Sequence, residues 1–154
     1  MLDFVRVGYE EPHGSRGRQI LTAHPELRSL AGAYWPSAIW IVSLVVANLA
    51  TAIYVTRFPW YVWLPAAYIV GATIDHALWV LIHETAHCLI FQRRNLNRTM
   101  ALIANVPMVA PAAMSFCKYH LLHHRHLGEH EFDADMAGPV EARVVGDSTI
   151  WKTL

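Results

Sequence analysis

Residues 34–55 read YWPSAIWIVSLVVANLATAIYV and contain no Asp, Glu, Lys, Arg or His. A helix of that length rises by ~33 Å, enough to cross ~30 Å of hydrocarbon. Tyr34, Trp35 and Tyr54 sit at its two ends, where aromatic rings favour the headgroup zone. The stretch therefore predicts a membrane-spanning helix. Next, TRFPW (56–60) predicts a tight reversal, because Pro59 stops one helix before another begins. A second apolar run, Trp60 to Ile82, is as long but carries Asp75 and His76 near its far end. Ionisable groups at that depth are costly in lipid, so both are expected to face protein or a wet cavity. The two runs predict a transmembrane helical hairpin.

The rest of the composition fits this frame. Of 154 residues, 55% are hydrophobic and only 16% charged, with formal charges summing to zero, so no global field points toward nucleic acid. Cys88 and Cys117 flank apolar runs without paired spacing and read as reduced packing residues. No cleavable signal is visible in the first thirty residues, so insertion is expected to use internal segments. Arg93, Arg94 and Arg98 outweigh the lone Arg57 in the first turn, which places the amino-terminal arm and residues 93–98 on the cytoplasmic face.

Residues 1–33 read as a polar, cytosol-facing arm: a loop, then a short helix after Thr22 or Pro25 that ends near Gly32. Residues 34–154 form the membrane part. Within it, TMALIANVPMVAPAAMSFC (99–117) is apolar but interrupted by Pro107 and Pro111. A straight helix through both prolines would lose backbone bonds that lipid cannot replace, so a broken interfacial or re-entrant helix is expected. The chain then turns polar, in EHEFDADMAGPVEARVVGDS.

Ten histidines nearly match the twelve acidic residues, and most cluster. HETAH places His83 and His87 four apart, on one helical face, where both can reach a common metal. HLLHH places His120, His123 and His124 at i, i+3 and i+4, again on one face. His76 lies two turns before His83, a rise of roughly 10 Å, so it cannot share a metal with His83 without a bend and is a candidate for a second metal or for supporting a ligand. His126 lies further round the helix and is less well aimed, His130 reads as an ordinary hydrogen-bonded residue, and His13 and His24 read as surface residues of the arm.

A geometric requirement links these boxes to the topology. Were residues 99–117 to cross the bilayer, the boxes would stand roughly 30 Å apart on opposite faces. The double proline argues for return to the same side, giving a histidine-box cap on the cytosolic face. Five imidazoles exceed what one tetrahedral zinc needs. Imidazole suits iron, copper and zinc alike, and two irons make use of so many donors.

Three blocks, IDHALWVLIHETAHCLIF, then NRTMALIANVPMVAPAAMSFCKYHLLHHRHLG, then DAD, closely resemble the membrane fatty acid desaturase superfamily, and within it the sphingolipid delta-4 desaturases. The arm EPHGSRGRQILTAHPELRSLAG resembles the amino-terminal domain of the latter. The resemblance implies an incomplete desaturase fold, all-α and integral to the membrane. It implies a di-iron enzyme that uses O2 to insert a trans double bond into the sphingoid base of dihydroceramide, with electrons from a b-type cytochrome and its reductase. Its HxxxH and HxxHH boxes map onto His83, His87, His120, His123 and His124 as iron ligands. The membrane would be the endoplasmic reticulum in a eukaryote and the inner membrane in a bacterium. The superfamily's third box has no counterpart after His130, so a truncated, singly inactive chain is expected, or one completed by a second polypeptide.

Two rivals fit part of the pattern. HETAH matches HExxH, in which the histidine pair binds zinc and Glu84 acts as general base of an intramembrane protease, but HLLHH is then unexplained. A membrane-anchored fragment without turnover is the other.

Overall fold

A computed structural model describes residues 12–129, 132–146 and 148–149. Every regular element among them is helical: α1 (His13–Ala23), a 3-10 turn (Pro25–Leu30), α2 (Ser37–Val55), α3 (Trp60–Ala66), α4 (Ala72–Ala86), α5 (Arg94–Ala104), α6 (Ala113–Arg125) and α7 (Pro139–Val145). A π-helical segment, Ala67–Gly71, joins α3 to α4 without a break, just after Pro65. A proline removes one backbone donor, and a wider turn beside it absorbs the mismatch.

The chain divides into two compact units, residues 29–121 and residues 1–28 with 122–154. The first contains the expected hairpin. α2 and the continuous helix Trp60–Ala86 are each long and apolar enough to cross a membrane. Only 17% and 11% of their most apolar windows are buried, unlike the core helix of a soluble protein. Ile39, Trp40, Ile53, Tyr68 and Ile69 are among the side chains left exposed. The reversal at Thr56–Pro59 forms as expected, with the Phe58 N–H donating to Val55 and the Tyr54 and Phe58 rings 5.4 Å apart.

Ile41 and Val45 of α2 meet Leu78 and Ile82 of α4, and α5 lays Asn97, Ala101 and Ala104 against them. Small residues at this stripe let the helix backbones approach closely. Asp75 faces protein, as expected: its Oδ1 accepts a 2.7 Å hydrogen bond from Asn48 Nδ2 of α2.

The double proline does break the chain between 99 and 117. α5 begins at Arg94, ahead of the expected start, and stops at Ala104; a bend over residues 105–112 follows and α6 starts directly after it. Buried Asn105 ties the bend, its Nδ2 donating to Ala110 O at 2.8 Å and its Oδ1 accepting the Ala113 N–H at 2.7 Å.

In the second unit, the arm departs from expectation. The stretch read as loop is helix α1, and the segment after Pro25 is a 3-10 turn. Gly14 and Gly17 each cost only ~1 kcal/mol in a helix, and the Arg, Gln and Leu around them favour one. The helix ends at His24, since the residue before a proline is driven out of helical geometry. The polar carboxy-terminal stretch forms α7 with Pro139 in its first turn. Residues 1–11 and His130 lie outside the described residues.

Candidate metal centre

α4 ends at the first histidine box. The Leu89 N–H donates to Glu84 O and the Cys88 N–H to Thr85 O, the paired bonds of a Schellman cap, with Cys88 at φ 57° where glycine is usual. His87 is thus the C-cap residue just past the end of α4 and His83 lies one turn before it, their ring centroids 4.8 Å apart. The loop that follows is closed by buried Asn97, whose Oδ1 accepts the Ile90 and Phe91 N–H groups at 3.3 and 3.2 Å. Its Nδ2 donates to Phe91 O and Arg93 O.

His120 arrives from α6, directed by the Asn105 bend. Its ring centroid lies 4.5 Å from that of His83 and 5.0 Å from that of His87, and its Nε2 is 3.0 Å from His87 Nε2. Ligand nitrogens of the three imidazoles fall within 4.8 Å of one another. Phe116, one turn earlier, stacks on His120 at 5.0 Å and 11°, and Trp79 of α4 lies 4.8 Å from Phe116. The trio therefore has an aromatic wall, and His120 itself is buried.

These donors suit a metal ion. Two imidazoles on one ion, with bonds of ~2.1 Å at a right angle, stand ~3 Å apart, as His87 and His120 do. Glu84 Oε1 is 3.8 Å from His83 Nδ1, beyond hydrogen-bond reach, with both side chains partly exposed. Burial, chiefly, pushes the Cys117 thiol up, against the Thr85 hydroxyl and the charge of Arg98. Such a thiol is inert at neutral pH.

His123 and His124 complete the second box on the last turn of α6, in the other compact unit, with ring centroids 5.4 Å apart. His124 is exposed; His123 Nδ1 lies 2.6 Å from buried Asp133. Burial works to raise the Asp133 carboxyl, but the Gly128 N–H, the His123 ring and the Asp135 N–H together hold it below the ordinary carboxylate value. His76 is exposed and stands outside the His83–His87–His120 trio. His126 pairs with Glu129 at 3.0 Å and His24 with Glu26 at 3.2 Å, both on the surface. Sequence reasoning gave no role to Asn97, Asn105 or Asp133. The available signals were an Asn inside the uncharged run 99–117 and the DAD motif itself.

Fold and site together define a class: a chain whose described elements are all helical, with two helices of membrane length and a histidine-box cluster fit for a metal. The chain belongs to the fatty acid desaturase family, whose model matches residues 58–150. A second family model, sphingolipid Delta4-desaturase (DES), matches residues 2–35. Among curated relatives, the sphingolipid delta(4)-desaturase of Schizosaccharomyces pombe is 41% identical over 88% of this chain and 38% of its own length. Sphingolipid delta(4)-desaturase DES1 of Drosophila melanogaster is 38% identical over 99% of this chain and 48% of its own length. That of Homo sapiens is 36% identical over 87% and 42% respectively. The chain spans less than half the length of each of these relatives. No solved structure matches it.

Proposed function

We propose that this chain provides the amino-terminal membrane hairpin and two histidine boxes of a di-iron, O2-dependent lipid desaturase that introduces a trans double bond into the sphingoid base of dihydroceramide. The observation that carries this reading is the approach of His120 to the HxxxH pair, within 3.0 Å of His87, in a chain of the desaturase family. A hydrolytic zinc site would use His120 as its third ligand, but it leaves His123 and His124 without a task and does not account for the desaturase family match.

Five ligands are proposed: His83, His87, His120, His123 and His124. Two irons use more donors than these five, so others would come from a second polypeptide or from sequence matching the remainder of the relatives' length. Bound iron would supply the reduction of O2 to an oxidant able to take hydrogen from an unactivated C–H bond. Overall, two hydrogens leave adjacent carbons and, with two electrons and two protons from the donor, one O2 becomes two waters. A b-type cytochrome with its reductase is the proposed donor.

The chain's own residues do the holding. Asn105 and the Cys88 cap bring three imidazole nitrogens together, and Phe116 and Trp79 shield them from water on one side. Helix length supports a site at the membrane surface: Trp60–Ala86 has 27 residues, ~40 Å, whereas ~20 residues cross the hydrocarbon, so the turn with His83 emerges into the headgroup zone. The exposed apolar faces of α2 and α3 would meet lipid. We place the boxes on the cytoplasmic side of a multi-pass protein.

Membranes containing this chain together with the sequence that supplies the remaining iron ligands, its electron donor, O2 and dihydroceramide, are expected to form ceramide with a trans double bond, and iron bound per chain is expected to fall in His87→Ala and His120→Ala. Iron-loaded membranes of that completed protein that leave dihydroceramide unchanged would overturn the reading.

A further inference from the structure

Asp133 is 6% exposed although Phe132, Ala134 and Asp135 beside it are open to solvent. Its carboxylate meets three partners. Oδ1 lies 2.6 Å from His123 Nδ1 and accepts the Asp135 backbone N–H at 2.9 Å; Oδ2 accepts the Gly128 backbone N–H at 2.8 Å. Gly128 has φ +78°, a left-handed turn just past α6 that aims its N–H back at the carboxylate. An ionised carboxylate only accepts hydrogen bonds, so the proton between Asp133 and His123 belongs to Nδ1.

We propose that Asp133 is a positioning residue for the metal centre: by accepting the Nδ1–H of His123 it fixes the tautomer in which Nε2 carries the lone pair, and holds the ring so that Nε2 is the ligand atom. This rests on His123 being an iron ligand, as proposed above. Metal-bound histidines commonly hold their second ring nitrogen on a carboxylate in this way, which sets orientation and raises ligand basicity.

Direct ligation by Asp133 is the competing arrangement, since His123, Asp133 and Asp135 cluster closely enough to suggest a metal site of their own. Two observations favour the hydrogen bond. Two ligands on one ion at bonds of ~2.1 Å stand ~3 Å apart, and 2.6 Å between Nδ1 and Oδ1 leaves room for a proton instead. Both carboxylate oxygens also already accept backbone N–H groups, while Asp135 is exposed and 3.6 Å from the ring.

The test is nitrogen-15 NMR of the histidine-labelled, metal-free chain in detergent micelles at pH ~8.5, well above the ordinary histidine pKa, with His123 assigned by its loss in His123→Gln. The native chain is expected to show His123 with the proton on Nδ1. In Asp133→Ala the Nε2–H form becomes the major one; in Asp135→Ala, which keeps the backbone N–H, nothing changes. Anaerobic titration with Fe(II) is expected to show affinity ~10–100-fold weaker in Asp133→Ala and unaltered in Asp135→Ala. A native spectrum with His123 protonated on Nε2 overturns the proposal without recourse to any variant. A native Nδ1–H spectrum with boxed histidines that Fe(II) leaves unmoved overturns the iron reading and leaves the Asp133 tautomer assignment standing.

Discussion

Asn105→Ala removes the tie that turns α5 into α6. Asn105 is 9% exposed, and its amide makes two bonds, to Ala110 O at 2.8 Å and from the Ala113 N–H at 2.7 Å. Each such bond contributes ~1 kcal/mol net, and a buried group left without a partner costs a further ~1–3 kcal/mol. Ala113 is itself buried and opens α6, so its N–H has no carbonyl of the same helix to turn to. The expected loss is therefore about 3–5 kcal/mol, read as the shift in reversible denaturation of the chain in micelles or bicelles. Because the bend directs His120 toward His83 and His87, Fe(II) affinity should fall together with stability. Asn105→Asp keeps the acceptor at the α6 amino terminus, where negative charge is favoured, and loses only the donor to Ala110; it should cost less than half as much. A loss below ~0.5 kcal/mol in Asn105→Ala, with Fe(II) affinity unaltered, would refute the claim that this amide sets the bend.

Cys88→Gly should stabilise the chain by about 1 kcal/mol in the same denaturation assay, because φ 57° costs any residue with a Cβ, and no change would mean the cap is not strained. A double-mutant cycle on Asn48 and Asp75, each replaced by Leu, should give a coupling of ~0.6 kcal/mol, the average between membrane helices, and at most ~1.7 kcal/mol; a coupling of zero would show that their 2.7 Å bond does not hold α2 to α4. With Cys88 and Cys117 replaced by Ala, single cysteines introduced as Arg94→Cys and Lys118→Cys should both react with an impermeant thiol reagent from the cytoplasmic side. Labelling of the two from opposite compartments would contradict the re-entrant course proposed for α5 and α6.

The two long helices were legible because their signal is local: uncharged runs of fixed length, closed by Pro59 and by aromatic ends. The break between 99 and 117 was legible for the same reason, since a proline constrains its own backbone whatever surrounds it. The amino-terminal helix α1 was not, because two glycines and a proline-bounded stretch weigh nearly equally for loop and helix. The histidine pairs could be read because ligands on one helix must recur at three- or four-residue spacing to face one ion. Asn97, Asn105 and Asp133 obey no such period. Each is buried with backbone partners four to eight residues away or closer, and any Asn or Asp near a bend is a candidate for such a tie. Nothing in the residue type tells which ones the fold will bury. The proposed ligands of this site are thus written in spacing, while the residues proposed to aim them are chosen by tertiary structure. A sequence with both boxes intact but Asn105 or Asp133 replaced would look unchanged to a motif reading, yet is expected to hold its metal less well.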